Sequence, residues 1–155
     1  MKINKWIIIL VICFSQTLFS QFNKNWEKSI NSFTWLKNDD NTRGLSFNPI
    51  NNKIYVCSRT NSPNIYILNS EDGSYFNKLS VTGISGGTYT LNIVKVADDG
   101  VIYACNLALA GTTFKIYKWT DDNANPVVIY EIQSTTQRMG DAFTVVGRGE
   151  NTKIY

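Results

Sequence analysis

The side chains here that could do chemistry are three cysteines, three Asp-Asp pairs and a few loop arginines, and histidine is absent altogether. Without histidine there is no Ser-His-Asp or Cys-His relay and no histidine-based zinc site. A cysteine nucleophile at Cys57 or Cys105 would lack its usual base. The pairs Asp39-Asp40, Asp98-Asp99 and Asp121-Asp122 each lie beside Asn or Gly. They lack the Asp-x-Asp-x-Asp-Gly spacing of a calcium loop and read most simply as turn residues. Two distant acids could still converge in the fold as a glycosidase pair, but no spacing points to one. No catalytic residue, metal ligand or cofactor is expected. Thr82–Thr88, TGISGGT, is glycine-rich, yet a strand pattern follows it rather than Lys-Ser/Thr and a helix, so it reads as a turn and not a phosphate cradle. The remaining polar groups of interest are Arg59, Asn61 and Arg138. They suit sugars, peptides or carboxylates, although each taken singly also reads as an ordinary solvated loop residue.

The elements that must position these residues are strands. Gly44–Phe47, Lys53–Ser58, Asn64–Asn69 and Tyr75–Val81 carry β-branched and aromatic residues, and Asn-Pro, Ser-Pro and Asp-Gly turns separate them. A second run follows at Tyr89–Ala97, Val101–Leu107, Thr113–Trp119 and Val127–Ile132. Lys53–Cys57 matches Gly100–Cys105 at an Ile-Tyr-x-Cys core, and Asn64–Leu68 matches Lys115–Trp119, at offsets of 48 and 51 residues. A third copy starts at Asp141–Arg148 and reaches Lys153-Ile154-Tyr155. Four strands in about 40–50 residues is the period of a propeller blade. A β-sandwich with accidental similarity is the competing architecture. The fold expected is all-β, a β-propeller-like repeat of four-stranded antiparallel meanders. Its units span about 43–81, 89–132 and 141–155, the last one cut short, so about two blades plus partial ones are present.

Cys57 and Cys105 occupy equivalent strand positions in successive units. Their Cα atoms should lie beyond the roughly 4.4–6.8 Å that a disulfide spans, so both are expected as buried free thiols. Between Phe22 and Asn41 the aromatic residues suggest strands near Trp26–Ile30 and Phe33–Leu36. The tryptophans Trp26 and Trp35 read as closing the end of a core rather than as sugar-stacking platforms.

Met1–Gln21 has two lysines, an apolar run of nine residues from Trp6 to Phe14, then small and polar residues. That is the layout of a secretory signal peptide with cleavage after Ser20, leaving a domain over residues 22–155. The run is far below the roughly 20 residues needed to span a bilayer. Acylation at Cys13 is the competing reading. The net charge of +3 falls to +1 without Lys2 and Lys5, and the basic residues are scattered, so no nucleic-acid partner is expected.

Arg43-Gly44-Leu45-x-Phe47-Asn48-Pro49, Gly86-Gly87-Thr88, Val96-Ala97-Asp98-Asp99-Gly100-x-Ile102-Tyr103-Ala104, Phe114-Lys115-Ile116-Tyr117-x-Trp119 and Gly140-Asp141-x-Phe143 together resemble an uncharacterised family of secreted bacterial proteins. That family carries a domain of unknown function and is similar in blade style to YVTN repeats. The resemblance covers most of Trp26–Tyr155. It implies export and a propeller-like fold, and supplies no catalytic residues. The functional expectation is a secreted or cell-surface binding module for an extracellular glycan, peptide or protein. The alternative is a propeller-type hydrolase or lyase, lactonase-like, using acidic residues and a metal. In a propeller the loops Arg59–Pro63, Gly83–Thr88, Ala108–Thr112 and Ser134–Gly140 would gather at one end, bringing Arg59, Asn61 and Arg138 together. Too few repeats are present to close a ring, so a longer protein or strand-edge self-association is expected.

Overall fold

The structure is a computed structural model that describes residues 23–155, so the expected signal segment and Cys13 lie outside the described residues. Two four-stranded antiparallel sheets dominate it. The first runs β1 (Thr42–Asn48), β2 (Lys53–Ser58), β3 (Asn64–Asn69), β4 (Tyr75–Lys78), and the strands neighbour one another in that order. The second has the same order in β5 (Tyr89–Val96), β6 (Ile102–Leu107), β7 (Thr113–Trp119) and β8 (Val127–Gln133). A two-stranded hairpin follows, β9 (Val145–Val146) and β10 (Lys153–Ile154). Among the described residues no helix is long and apolar enough to cross a membrane.

Short carboxylates and amides make the turns. Asp72 accepts from Ser74 N at 2.8 Å, Asp99 from Val101 N at 3.2 Å, and Asp121 from Asn123 N at 2.8 Å. These are Asx turns, in which the side chain replaces the backbone acceptor that the reversal removes. Gly73 and Gly100 supply positive φ at 65° and 86° in two of the same turns.

Strand alternation then gives each sheet two apolar faces. Tyr55, Cys57, Ile65 and Ile67 of the first sheet meet Val94, Ile102, Ala104, Tyr117 and Trp119 of the second in one buried cluster. The opposite face of the second sheet, with Tyr103, Cys105, Phe114 and Ile116, packs on Phe143 and Val145. The backbones come closest at the first strands. A Cβ on Gly44 of β1 would lie 2.8 Å from Val94 N and 2.9 Å from Ile93 Cα of β5, a gap only glycine fits.

The outer face of the first sheet is covered differently from expectation. Residues 23–41 form turns, not the strands read near Trp26–Ile30 and Phe33–Leu36. The segment lies across a sheet face rather than along an edge, so its backbone bonds close on itself: Asn31 N donates to Leu36 O at 2.8 Å and Leu36 N to Phe33 O at 3.1 Å. Trp35 is buried there with Val56 and Leu68. Its ring stacks between Phe33 and Tyr66, at centroid separations of 5.0 and 4.2 Å. Trp26 donates Nε1–H to Ser70 O at 2.7 Å. Both tryptophans therefore serve packing. The strand read over Asp141–Arg148 is also shorter, because Gly147 turns the chain at φ 88°.

Candidate functional site

Antiparallel meanders put alternate connections at opposite ends of the sheets, and the two ends differ in chemistry. One end joins β1 to β2, β5 to β6 and β7 to β8. There Asn48 Nδ2 donates to Gly100 O at 3.0 Å, tying the first sheet to the second. Tyr55 OH donates to Asp122, and Asn51 Nδ2 donates to Tyr55 OH at 2.8 Å. Burial first, and then the Asp122 carboxylate, push the Tyr55 phenol up to about 12. The next junction repeats the device: Asp98 accepts from Gly147 N at 3.1 Å and Asp99 from Gly149 N at 2.7 Å. The Gly149 N–H is the main reason the Asp99 carboxyl lies below its usual value. The carboxylates of Asp98, Asp99 and Asp122 act here as latches between successive elements.

The other end gathers the β2–β3, β4–β5, β6–β7 and β8–β9 connections. Thr88 N donates to Leu107 O at 2.8 Å, Gly111 N to Ser134 O at 2.7 Å, and Ala108 forms a β-bridge with Met139. In the glycine-rich connection, Gly87 has φ 70°, and a Cβ on it would meet Asn106 Nδ2 at 2.6 Å. Ser85 O accepts from Tyr117 OH at 2.5 Å, so this loop is packed down onto the second sheet.

Arg59 follows β2 and lies half-buried, its guanidinium carbon 4.0 Å from the Tyr89 ring centroid. Its Nη2 donates to Asp40 O at 3.3 Å. Burial, and next the nearby Arg43 guanidinium, lower the Arg59 pKa. Arg138 is at the same end but is neutralised in place, with Nε and Nη2 on the two Asp141 oxygens at 2.5 and 2.7 Å. Asn61 is exposed at the tip of its turn with φ 64°, where its backbone conformation accounts for its presence. Sequence reasoning missed Arg43 and Tyr89. Arg43 is the extra residue at the β1 irregularity between Thr42 and Gly44, which strict alternation does not reveal. Tyr89 opens β5 directly after the glycine-rich turn, and that position was its only signal. Further along β5, Asn92 donates Nδ2–H to Gly140 O at 2.7 Å, while its buried Oδ1 has no donor among the described residues.

Cys57 and Cys105 are buried free thiols, as the spacing predicts. Cys57 faces the cluster between the two sheets and Cys105 the cluster behind the second, so a whole sheet separates their environments. Burial pushes each thiol up to about 12, which leaves negligible thiolate near neutrality. A separate trough of 480 Å³ lies on the far face of the second sheet, lined by Phe114, Ile116, Tyr130, Phe143 and Ile154 among others.

Residues 16–152 match the family described as Domain of unknown function (DUF4623). The chain belongs to that family, which is uncharacterised. It is similar to the crystal structure of a DUF4623 family protein from Bacteroides eggerthii DSM 20697, with 31% sequence identity and a TM-score of 0.56. The alignment covers 66% of this chain and 26% of that one, so this chain spans about a quarter of that protein's length. Among proteins of curated function, none matches this chain.

Proposed function

We propose that the chain contributes two stacked blades and the start of a third to a secreted, β-propeller-like binding module, which holds its ligand at the end carrying Arg59, Asn61 and Arg138. The propeller reading is supported by the direction of stacking. Tyr55 and Cys57 face the following sheet, and Tyr103 and Cys105 face the following hairpin. First strands approach most closely at Gly44, as the inner strands of blades do. In that arrangement the 480 Å³ trough is the seat for the outer strands of a further blade.

The observation that carries the binding reading is the contrast between the two ends. The turn end has carboxylates engaged in latches, whereas the loop end keeps, at Arg59, arginine charge without a carboxylate in ion-pair contact among the described residues. Binding by loops on a rigid sheet scaffold is the usual division of labour in such folds. Acid or metal catalysis would need carboxylates that are free to converge, so it is the weaker reading.

Immobilised protein tested against arrays of extracellular glycans and peptides should retain a ligand without consuming it. The double substitution Arg59→Ala, Arg138→Ala should abolish that retention. Turnover that a chelator blocks, or retention indifferent to both substitutions, overturns the reading. Export is checked separately: the mature protein should begin at or close to Gln21, and an intact Met1 on cytoplasmic protein contradicts it.

A further inference from the structure

We infer that Arg43 and Arg59 form a subsite for the oxyanion of an acidic saccharide, a uronate carboxylate or a sulfate ester, with Tyr89 as its flat wall. The inference rests on the reading of this end as the binding end, and it names the ligand class.

Four observations converge on it. Arg43 is exposed and sits at the register shift between Thr42 and Gly44, and a bulge of this kind re-aims a side chain out of strict alternation. Neither Arg43 nor Arg59 has a carboxylate within ion-pair distance among the described residues. Two nearby acids are engaged elsewhere: Asp39 accepts from Thr60 Oγ1 at 2.9 Å and from Asn41 N at 3.1 Å, and Asp141 is held by Arg138. Finally, Thr42 pairs with Ser58 across β1 and β2 and Arg59 N donates to Asn41 O at 3.0 Å, which places Arg43 and Arg59 on either side of one cross-strand pair, and the Arg43 charge helps to lower the Arg59 pKa. Two like charges held near each other, with no carboxylate in ion-pair contact, are what a bound anion relieves, and the guanidinium fork can take two oxygens of a carboxylate or a sulfate.

The saccharide half of the inference comes from the surroundings. Tyr89 is 48% exposed, leaving aromatic surface beside the charge. A shallow depression of about 250 Å³ reaches the following residue of β5, with Val81 and Ile84 as apolar lining and Ser62 and Thr90 as hydroxyl lining. A pyranose ring presents the same pairing, a C–H face and a hydroxyl rim.

The test is calorimetric titration of the full chain with tetra-galacturonate, sulfated maltotetraose and unmodified maltotetraose. At least one acidic oligomer should bind about tenfold or more tightly than the neutral one, the worth of one charge-assisted contact. Arg43→Gln and Arg59→Lys should each remove about that same factor, while Lys78→Gln, on the exposed β4 edge, should not. Which acidic oligomer binds assigns carboxylate or sulfate. Arg43 is exposed, so its variant tests the claim even if Arg59→Lys loosens the fold. Equal binding of acidic and neutral oligomers at this end overturns the inference and leaves the binding reading intact. Equal weakening by Lys78→Gln shows unspecific charge attraction and also overturns it. If no saccharide binds, the inference fails, and the binding reading fails with it only if the peptide and glycan arrays are also blank.

Discussion

The guanidinium carbon of Arg59 lies 4.0 Å from the centroid of the Tyr89 ring, joining the end of β2 in the first sheet to the start of β5 in the second. A cation–π contact at a partly exposed site contributes about 0.5–1 kcal/mol, modest for stability. Its larger effect is to hold one of the two adjacent guanidinium groups in a fixed orientation. A recognition group that is already ordered loses less freedom when a ligand arrives. The same contact therefore braces the sheets and, in the proposed binding role, would pre-order the loop end.

The close backbone approach between the two four-stranded sheets should be an unforgiving position. Gly44→Ala places a methyl 2.8 Å from Val94 N and 2.9 Å from Ile93 Cα, both main-chain atoms that cannot swing aside. Overpacking of this kind costs about 1–3 kcal/mol. Urea unfolding should show the midpoint falling by a corresponding amount. An unchanged midpoint would mean that the sheets are not in contact along β1 and β5.

Alkaline stability should report the latch between Tyr55 and Asp122. The folded phenol titrates at about 12, above its ordinary value of 10.0, so the fold favours the neutral form. The stability it contributes is complete below pH 10 and fades as pH rises from there through about 12. Tyr66 and Tyr117 shift in the same direction and add to the slope. Tyr55→Phe should lower stability at neutral pH by about 1–3 kcal/mol and flatten part of the alkaline decline. A variant whose profile from pH 9 to pH 12 overlays the parent would contradict the latch.

The thiols should be silent in the native protein. With both pushed up to about 12 and buried, Cys57 and Cys105 should resist alkylation at pH 8. After denaturation without reductant, mass spectrometry should find both alkylated. A Cys57–Cys105 bridge would be incompatible with a sheet lying between their two clusters.

The strands were legible because local pattern and turn chemistry agreed. Lys53–Ser58, Asn64–Asn69 and Thr113–Trp119 fall where alternation and the flanking Asn, Asp and Pro residues place them. The Ile-Tyr-x-Cys match also carried facing information, since Tyr and Cys point forward in both second strands. The aromatic residues from Trp26 to Leu36 misled, because apolar content announces burial without saying whether a segment joins an edge or lies across a face. Asp98 and Asp99 read as a hairpin turn, which Asp99 makes, but their bonds to Gly147 and Gly149 are contacts between elements and leave no local trace. Arg59 and Arg138 were legible as loop residues. Arg43 was not, because the sequence pattern starts the strand at Gly44, whereas β1 starts at Thr42 and its register breaks at Arg43.

The measurement that bears most directly on the binding end is amide chemical-shift mapping of the full chain during titration with the ligand that the arrays retain. Shifts should concentrate at Arg43, Arg59–Pro63 and Tyr89, with smaller changes in Ser134–Gly140. Shifts confined to the opposite end, at Asn48–Asn52, Asp98–Gly100 and Thr120–Asn125, would place the ligand on the carboxylate latches and contradict the account.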